Sequence, residues 1–109
     1  MRILIVDDNQ SLADAIAIGL RHKGHTVSTA LNGEDGLLIF RIGDFDAVIS
    51  DRDMPVMNGF QMVTEILRLK SNTKIVMMSG DPTNKPPAGI QLLEKPFGRD
   101  ELLKALEIA

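Results

Sequence analysis

Two kinds of segment alternate along the chain. Short, mostly apolar runs are typical of strands covered on both faces, and apolar residues at helical spacing predict amphipathic helices between them. The predicted strands are residues 3–6, 25–30, 45–49, 74–78 and 90–93. The predicted helices cover residues 12–20, 34–42, 60–69 and 100–108. Strands alternating with helices imply parallel βαβ units with right-handed crossovers, so we predict one doubly wound α/β domain over residues 1–109.

Two segments of this pattern stand apart. Only two of the six residues 25–30 are apolar, which predicts a half-buried strand at the edge of the sheet. The crossover at residues 80–89 contains three prolines and two glycines in ten residues, and such a composition does not support a normal helix. We therefore predict that this crossover is a loop or at most one irregular turn.

Composition excludes several classes of function. The chain has 109 residues and a net charge of −3, which gives no general electrostatic reason to bind nucleic acid or anionic lipid. There are no cysteines, so disulfides, thiolate metal sites and cysteine nucleophiles are excluded. No apolar run approaches the roughly 20 residues that span a bilayer, and residues 3–6 are too short for a signal-peptide core. The expected compartment is the cytoplasm.

Polar side chains stand at the carboxyl ends of four of the five predicted strands, the first, third, fourth and fifth. In an open α/β sheet, ligands bind in the crevice beyond the carboxyl ends of the strands, so these side chains are expected to meet there. The residues concerned are Asp7, Asp8, Asp51, Asp53, Ser79 and Lys95. Crowded carboxylates repel one another unless a cation joins them, and oxygen ligands without histidine or cysteine favour Mg²⁺. Such an ion would hold one carboxylate ready for in-line attack on a phosphoryl donor, and a lysine and a hydroxyl can then neutralise and orient the transferred phosphoryl group.

Four segments carry a family resemblance. They are Asp7-Asp8, the stretch from Asp51 to Gly59 (DRDMPVMNG), Met78-Ser79-Gly80 and Lys95-Pro96-Phe97. In this order and at these strand ends they resemble the receiver domain of bacterial two-component response regulators. The resemblance covers essentially the whole chain. It implies a flavodoxin-like sheet of five parallel strands in the order 2-1-3-4-5. The family's fourth helix, which lies between the fourth and fifth strands, would here be missing or reduced to a loop.

The resemblance also implies a role for each site residue. Asp51 would accept a phosphoryl group from a phosphohistidine of a sensor histidine kinase or a histidine phosphotransfer protein. Mg²⁺ would be bound by Asp8 and Asp51, by Asp7 directly or through water, and by the backbone carbonyl of Asp53. The Ser79 hydroxyl and the Lys95 ammonium would bind the phosphoryl oxygens, with a Lys95-Pro96 bond that is commonly cis in this family. The domain would switch protein–protein contacts and would not be an enzyme beyond handling its own phosphoryl group.

The sequence departs from the family pattern in its expected output. Leu92 stands three positions before Lys95, where the family often has an aromatic residue that turns inward on activation. The short fourth crossover is similar to that of receivers attached to hybrid sensor kinases. A stand-alone receiver and a piece of a longer protein are both open, and the kinase, the output and the oligomeric state are not set by the sequence.

Two other functions remain open. Asp51-Arg52-Asp53 has the DxD form of haloacid-dehalogenase-like phosphatases, but that family normally has DxD at the first strand, followed by Gly and Thr. A pseudo-receiver that binds partners without phosphorylation would fit Leu92 and the short crossover. The complete set of acidic residues, Ser79 and Lys95 argues against it, because a module without the chemistry need not keep them.

Overall fold

The computed structural model describes residues 1–81, 87 and 89–109, and a five-stranded parallel sheet runs through its centre. The strands are β1 (Arg2–Val6), β2 (Thr26–Ala30), β3 (Ala47–Asp51), β4 (Lys74–Ser79) and β5 (Ile90–Glu94). The helices are α1 (Gln10–His22), α2 (Gly33–Ile42), α3 (Gly59–Leu69) and α4 (Arg99–Ile108). The strand order is β2-β1-β3-β4-β5, which confirms the predicted order and the edge position of β2.

Helices cover both faces of the sheet, which explains why the middle of each inner strand is apolar. On β1, Ile3 and Ile5 pack with α1 and α4, whereas Leu4 and Val6 pack with α2 and α3. All four side chains are fully buried. Because successive strand residues point to opposite faces, the middle of an inner strand between two helical layers is buried on both sides.

Local signals set the helix ends. The side chains of Asn9, Asn32 and Asn58 accept hydrogen bonds from the first turns of α1, α2 and α3. Gly24 follows α1 with φ +89°, a left-handed conformation that glycine adopts without a Cβ penalty. These ends agree with the predicted helices, whose limits differ from the observed ones by at most a few residues.

The predicted limits of the third strand were wrong by two residues. Residues 45–49 were expected to form it, but β3 is Ala47–Asp51. Phe45 is buried because its ring stacks on Phe40, with 6.1 Å between the ring centroids, and its apolar character reflects that packing. At the other end, Asp51 pairs with Met78 of β4 and is therefore the last residue of the strand.

The family's helix between the fourth and fifth strands was predicted to be replaced here by a loop. That segment falls mainly outside the described residues, since residues 82–86 and 88 are not among them. Of the described crossover residues, Gly80, Asp81, Pro87 and Gly89, none is helical. No helix in the described parts of the chain is long and apolar enough to span a membrane.

Candidate functional site

The strand register brings the predicted site residues to one edge of the sheet. Asp51 is paired with Met78, and Ser79 with Glu94, so the ends of β3, β4 and β5 lie side by side. Asp7 follows Val6, which pairs with Ser50 of β3. Parallel strands end at the same edge, and that edge therefore collects the side chains at or just after the ends of β1, β3, β4 and β5.

Three carboxylates form the centre of the site. Asp7, Asp8 and Asp51 each contribute an oxygen atom, and these atoms all lie within 4.8 Å of one another. Asp7 is fully buried, Asp51 is largely buried, and Asp8 is exposed. Burial, together with the nearby Asp51 carboxylate, raises the pKa of Asp7, although a hydrogen bond from the Asn9 backbone N–H opposes that shift. A negative charge at Asp7 is therefore costly unless a cation lies next to it.

Lys95 supplies one such cation. Its Nζ lies 3.4 Å from Asp51 Oδ1 and 3.6 Å from Asp7 Oδ2. Its backbone N–H donates to the Ser79 carbonyl at 2.8 Å. This hydrogen bond extends the β4–β5 pairing by one residue and fixes the position of the Lys95 backbone. The Lys95-Pro96 peptide bond is cis, as the resemblance predicted.

The Ser79 hydroxyl lies at the same edge, and its hydrogen-bond partners are backbone groups of Asp81, two residues beyond the end of β4. Its Oγ donates to the Asp81 carbonyl at 3.0 Å and accepts from the Asp81 backbone N–H at 3.0 Å. Ser79 is fully buried. In this arrangement its single hydroxyl proton is committed to the Asp81 carbonyl.

Arg52 is a buried residue of the site for which sequence analysis predicted no role. Its Nη2 donates to Asp53 Oδ2 at 2.9 Å, and its Nη1 donates to the Asp81 carbonyl at 3.2 Å. The side chain of Arg52 is only 10% exposed, against 71% for Asp53. The signal for it was a basic residue between two acidic ones directly after a buried strand, since such a cation has carboxylates within immediate reach.

A close backbone contact shapes the loop after β3. The Gly59 N–H donates to the Arg52 carbonyl at 2.8 Å, and a Cβ on Gly59 would lie 2.3 Å from the Asp51 carbonyl oxygen. Only glycine permits this approach, which keeps the start of α3 against the end of β3. Earlier in the loop, Val56 has φ +70° and is 93% exposed.

The acidic cluster is suited to a hard divalent cation. Within the described part of the chain, Asp7 Oδ2 is buried without a hydrogen-bond partner, and the nearest cation, Lys95 Nζ, is 3.6 Å away. Three carboxylates from two strand ends provide oxygen ligands, which Mg²⁺ prefers. The buried, unbonded Asp7 Oδ2 is an oxygen that a bound cation would satisfy.

The structure thus brings together most of the predicted residues. Asp7, Asp8, Asp51 and Lys95 form one cluster, and Ser79 lies on the strand beside Asp51. The Asp53 carboxylate is paired with Arg52, and its side chain is 71% exposed.

Comparison with known proteins agrees with this geometry. Residues 3–107 match the family described as the response regulator receiver domain. The transcriptional regulatory protein CutR of Streptomyces coelicolor is 36% identical over 110 residues, which cover 94% of this chain and 50% of CutR. The cell cycle transcriptional regulator CtrA of Caulobacter vibrioides is 32% identical, covering 94% of this chain and 47% of CtrA. The chain therefore spans about half the length of the curated relatives it matches.

Solved structures give the same result. The response regulator protein TrrA of Thermotoga maritima, crystallised in complex with Mg²⁺-BeF, superposes with a TM-score of 0.89 at 30% identity. The superposition covers 98% of this chain and 96% of TrrA.

Proposed function

Because the chain belongs to the response regulator receiver domain family, we propose that it accepts a phosphoryl group on Asp51 and thereby acts as a phosphoacceptor domain of a two-component phosphorelay. The observation that carries the proposal is the position of Asp51. Its carboxylate ends a buried strand, lies 3.4 Å from the Lys95 ammonium and belongs to a cluster of three carboxylates. This arrangement combines a nucleophile with positive charge for the phosphoryl oxygens.

The transfer we propose is a displacement at phosphorus. A carboxylate oxygen of Asp51 attacks the phosphorus of a partner's phosphohistidine and forms a P–O bond. The P–N bond breaks, and its electron pair stays with the imidazole. Lys95 binds an oxygen of the transferred group, and the Ser79 hydroxyl donates to another once it has left the Asp81 carbonyl.

Asp7, Asp8, Asp51 and the backbone carbonyl of Asp53 would hold Mg²⁺. When bound, the ion would neutralise the carboxylates and the charge on the phosphoryl oxygens. The unbonded Asp7 Oδ2 supports this assignment, as does the Mg²⁺-BeF complex of TrrA.

The phosphodonor we propose is a sensor histidine kinase or a histidine phosphotransfer protein. CutR and CtrA are named as transcriptional regulators, and the chain matches about half of each. This domain would then control a partner or a neighbouring domain through protein–protein contacts, in the cytoplasm, without binding nucleic acid itself. The net charge of −3 is consistent with a domain that does not bind nucleic acid itself.

Intact-mass spectrometry after incubation with a small phosphodonor and Mg²⁺ tests the proposal. We expect one phosphoryl adduct per chain, and none in the Asp51→Asn variant. Asp44→Asn is a matched control, because the Asp44 side chain is 91% exposed and precedes β3 at the end away from the site. An adduct that persists in Asp51→Asn, or no adduct with any small phosphodonor, would refute the proposal.

A turnover assay separates the receiver from a small phosphatase. With a generic phosphomonoester in excess, we expect at most a stoichiometric adduct and no continuing release of the alcohol product. Sustained turnover that is lost in Asp51→Asn would favour the phosphatase interpretation of Asp51-Arg52-Asp53.

A further inference from the structure

A chain of hydrogen bonds connects the loop after β3 to the end of β4. It runs from the Asp53 carboxylate to the Arg52 guanidinium, then to the Asp81 carbonyl and finally to the Ser79 hydroxyl. Arg52 reaches across two segments that are 29 positions apart in sequence. Its paired carboxylate on Asp53 keeps the guanidinium oriented, since Nε and Nη2 both donate to that group.

The Asp81 carbonyl is the shared acceptor in this chain. Arg52 Nη1 donates to it at 3.2 Å and Ser79 Oγ donates to it at 3.0 Å. A carbonyl oxygen has two lone pairs and can accept both donors. The Ser79 hydroxyl has one proton, so it must leave this carbonyl before it can donate to a phosphoryl oxygen on Asp51.

We propose that Arg52 is a positioning residue that sets how readily the Ser79 hydroxyl leaves the Asp81 carbonyl to bind a phosphoryl oxygen. This inference rests on the proposed function, because it concerns the hydroxyl in the phosphorylated state. With Arg52 present, the carbonyl keeps a charged donor when the hydroxyl turns away. Without Arg52, the same rotation removes both of the donors described here, so the hydroxyl is held more firmly in its resting position.

The first test measures the affinity for beryllium fluoride, a phosphoryl mimic, at saturating Mg²⁺ by two-dimensional NMR titration. We expect Arg52→Met to bind the mimic about two- to tenfold more weakly, the range that one net hydrogen bond supports. In a Ser79→Ala background the same substitution should have no effect, because no hydroxyl remains to be released. Arg52→Lys should restore part of the affinity, since an ammonium lacks the fork that binds two acceptors at once.

Arg68→Met is the matched control for loss of an arginine. Arg68 pairs with Glu65 on the exposed surface of α3, and its side chain is 71% exposed. We expect its affinity for the mimic to equal that of the unmodified protein. Thermal unfolding of each variant shows that it is folded, and Arg52→Lys replaces Arg52→Met in the cycle should the latter not fold.

A second test needs neither metal nor mimic. This test is a double-mutant cycle on the melting temperature, measured in EDTA. It compares the unmodified protein with Arg52→Met, Ser79→Ala and the double variant. Each single variant leaves the Asp81 carbonyl one of these two donors, whereas the double variant leaves it neither. We therefore expect the double variant to lose more than the sum of the single losses.

The outcomes are distinct. If Arg52→Met costs the same affinity with and without the Ser79→Ala substitution, Arg52 acts only on general stability and the inference is overturned. The same holds for unchanged affinity in Arg52→Met or for additive melting temperatures. If the unmodified protein binds no beryllium fluoride and forms no adduct, the proposed function itself fails and the inference with it.

Discussion

The Lys95 ammonium nitrogen lies 3.4 Å from Asp51 Oδ1, which makes Lys95 the cation closest to the proposed phosphoacceptor among the ion pairs of the described residues. It also lies 3.6 Å from Asp7 Oδ2. A side chain from the end of β5 thus balances carboxylates from the ends of β1 and β3. The charge balance of the site therefore depends on three strands that are brought together only by the folded sheet.

We expect Lys95→Met to slow formation of the phosphoryl adduct by about a hundredfold or more, because a fixed charge on the developing phosphoryl oxygens is lost. The rate of adduct formation, followed by intact mass with a small phosphodonor, is the measurement. Lys104→Met is the control, since Lys104 is exposed on α4. A Lys95→Met rate within about twofold of that of the Lys104→Met control would contradict the assigned role.

The Asp7 carboxylate predicts a dependence of stability on pH. Burial raises its pKa above 3.8, so between 3.8 and its folded value the folded protein binds more protons than the unfolded chain. The associated stability is present at low pH and is lost as the pH rises through the folded pKa. We expect Asp7→Asn to melt at a higher temperature than the unmodified protein at pH 7 in EDTA, and this difference should shrink as the pH falls.

Mg²⁺ provides the second half of this test. Asp7→Asn removes a proposed ligand, so Mg²⁺ should raise the melting temperature of the unmodified protein more than that of the variant. Asp44→Asn, which changes an exposed carboxylate, should show neither effect. An Asp7→Asn variant that is less stable in EDTA at pH 7 would show that the carboxylate is not short of positive charge.

The fold was predictable because its signals are local. Apolar runs bounded by Asp7, Asp51 and Ser79 mark the buried strands, and Gly24 marks the end of a helix. The error at Phe45 arose because an apolar residue that packs on Phe40 from a loop has the same sequence pattern as a strand residue. Periodicity measures burial, and burial alone does not distinguish the two.

The candidate site was predictable as far as strand ends determine it. Asp7, Asp8, Asp51 and Lys95 meet because parallel strands end at one edge. The partners of Arg52 were not predictable, because its contact with the Asp81 carbonyl depends on a side-chain direction and on the path of the chain after β4. Neither property has a periodic signature in the sequence.

Gly59 is predicted to be the glycine at which a methyl group is most harmful to the site. A Cβ there would meet the Asp51 carbonyl oxygen at 2.3 Å and the Arg52 Cα at 3.0 Å, and backbone atoms cannot move aside cheaply. We expect Gly59→Ala to lower the free energy of unfolding by about 3 kcal/mol. Chemical denaturation measures this change.

Gly19→Ala is its control, because the nearest atom to a Cβ on Gly19 is Arg99 Cδ at 4.0 Å. Gly19 lies inside α1, where alanine is the better helix former, so we expect a gain of up to about 1 kcal/mol. Two changes of the same chemistry should thus have opposite signs. A loss of equal size at both positions would show that the close approach at Gly59 is not what limits substitution.

Val56 is predicted to be a position where a smaller residue stabilises the protein. Its φ of +70° is unfavourable for a β-branched side chain, and at 93% exposure the side chain has little packing to lose. A left-handed conformation costs about 1–2 kcal/mol, and glycine relieves it while adding up to about 1 kcal/mol of unfolded-state entropy. We therefore expect Val56→Gly to raise the free energy of unfolding by about 0.5–1 kcal/mol in chemical denaturation. Val56→Ala keeps a Cβ and should gain less than Val56→Gly, so equal gains in the two variants would contradict backbone strain as the cause.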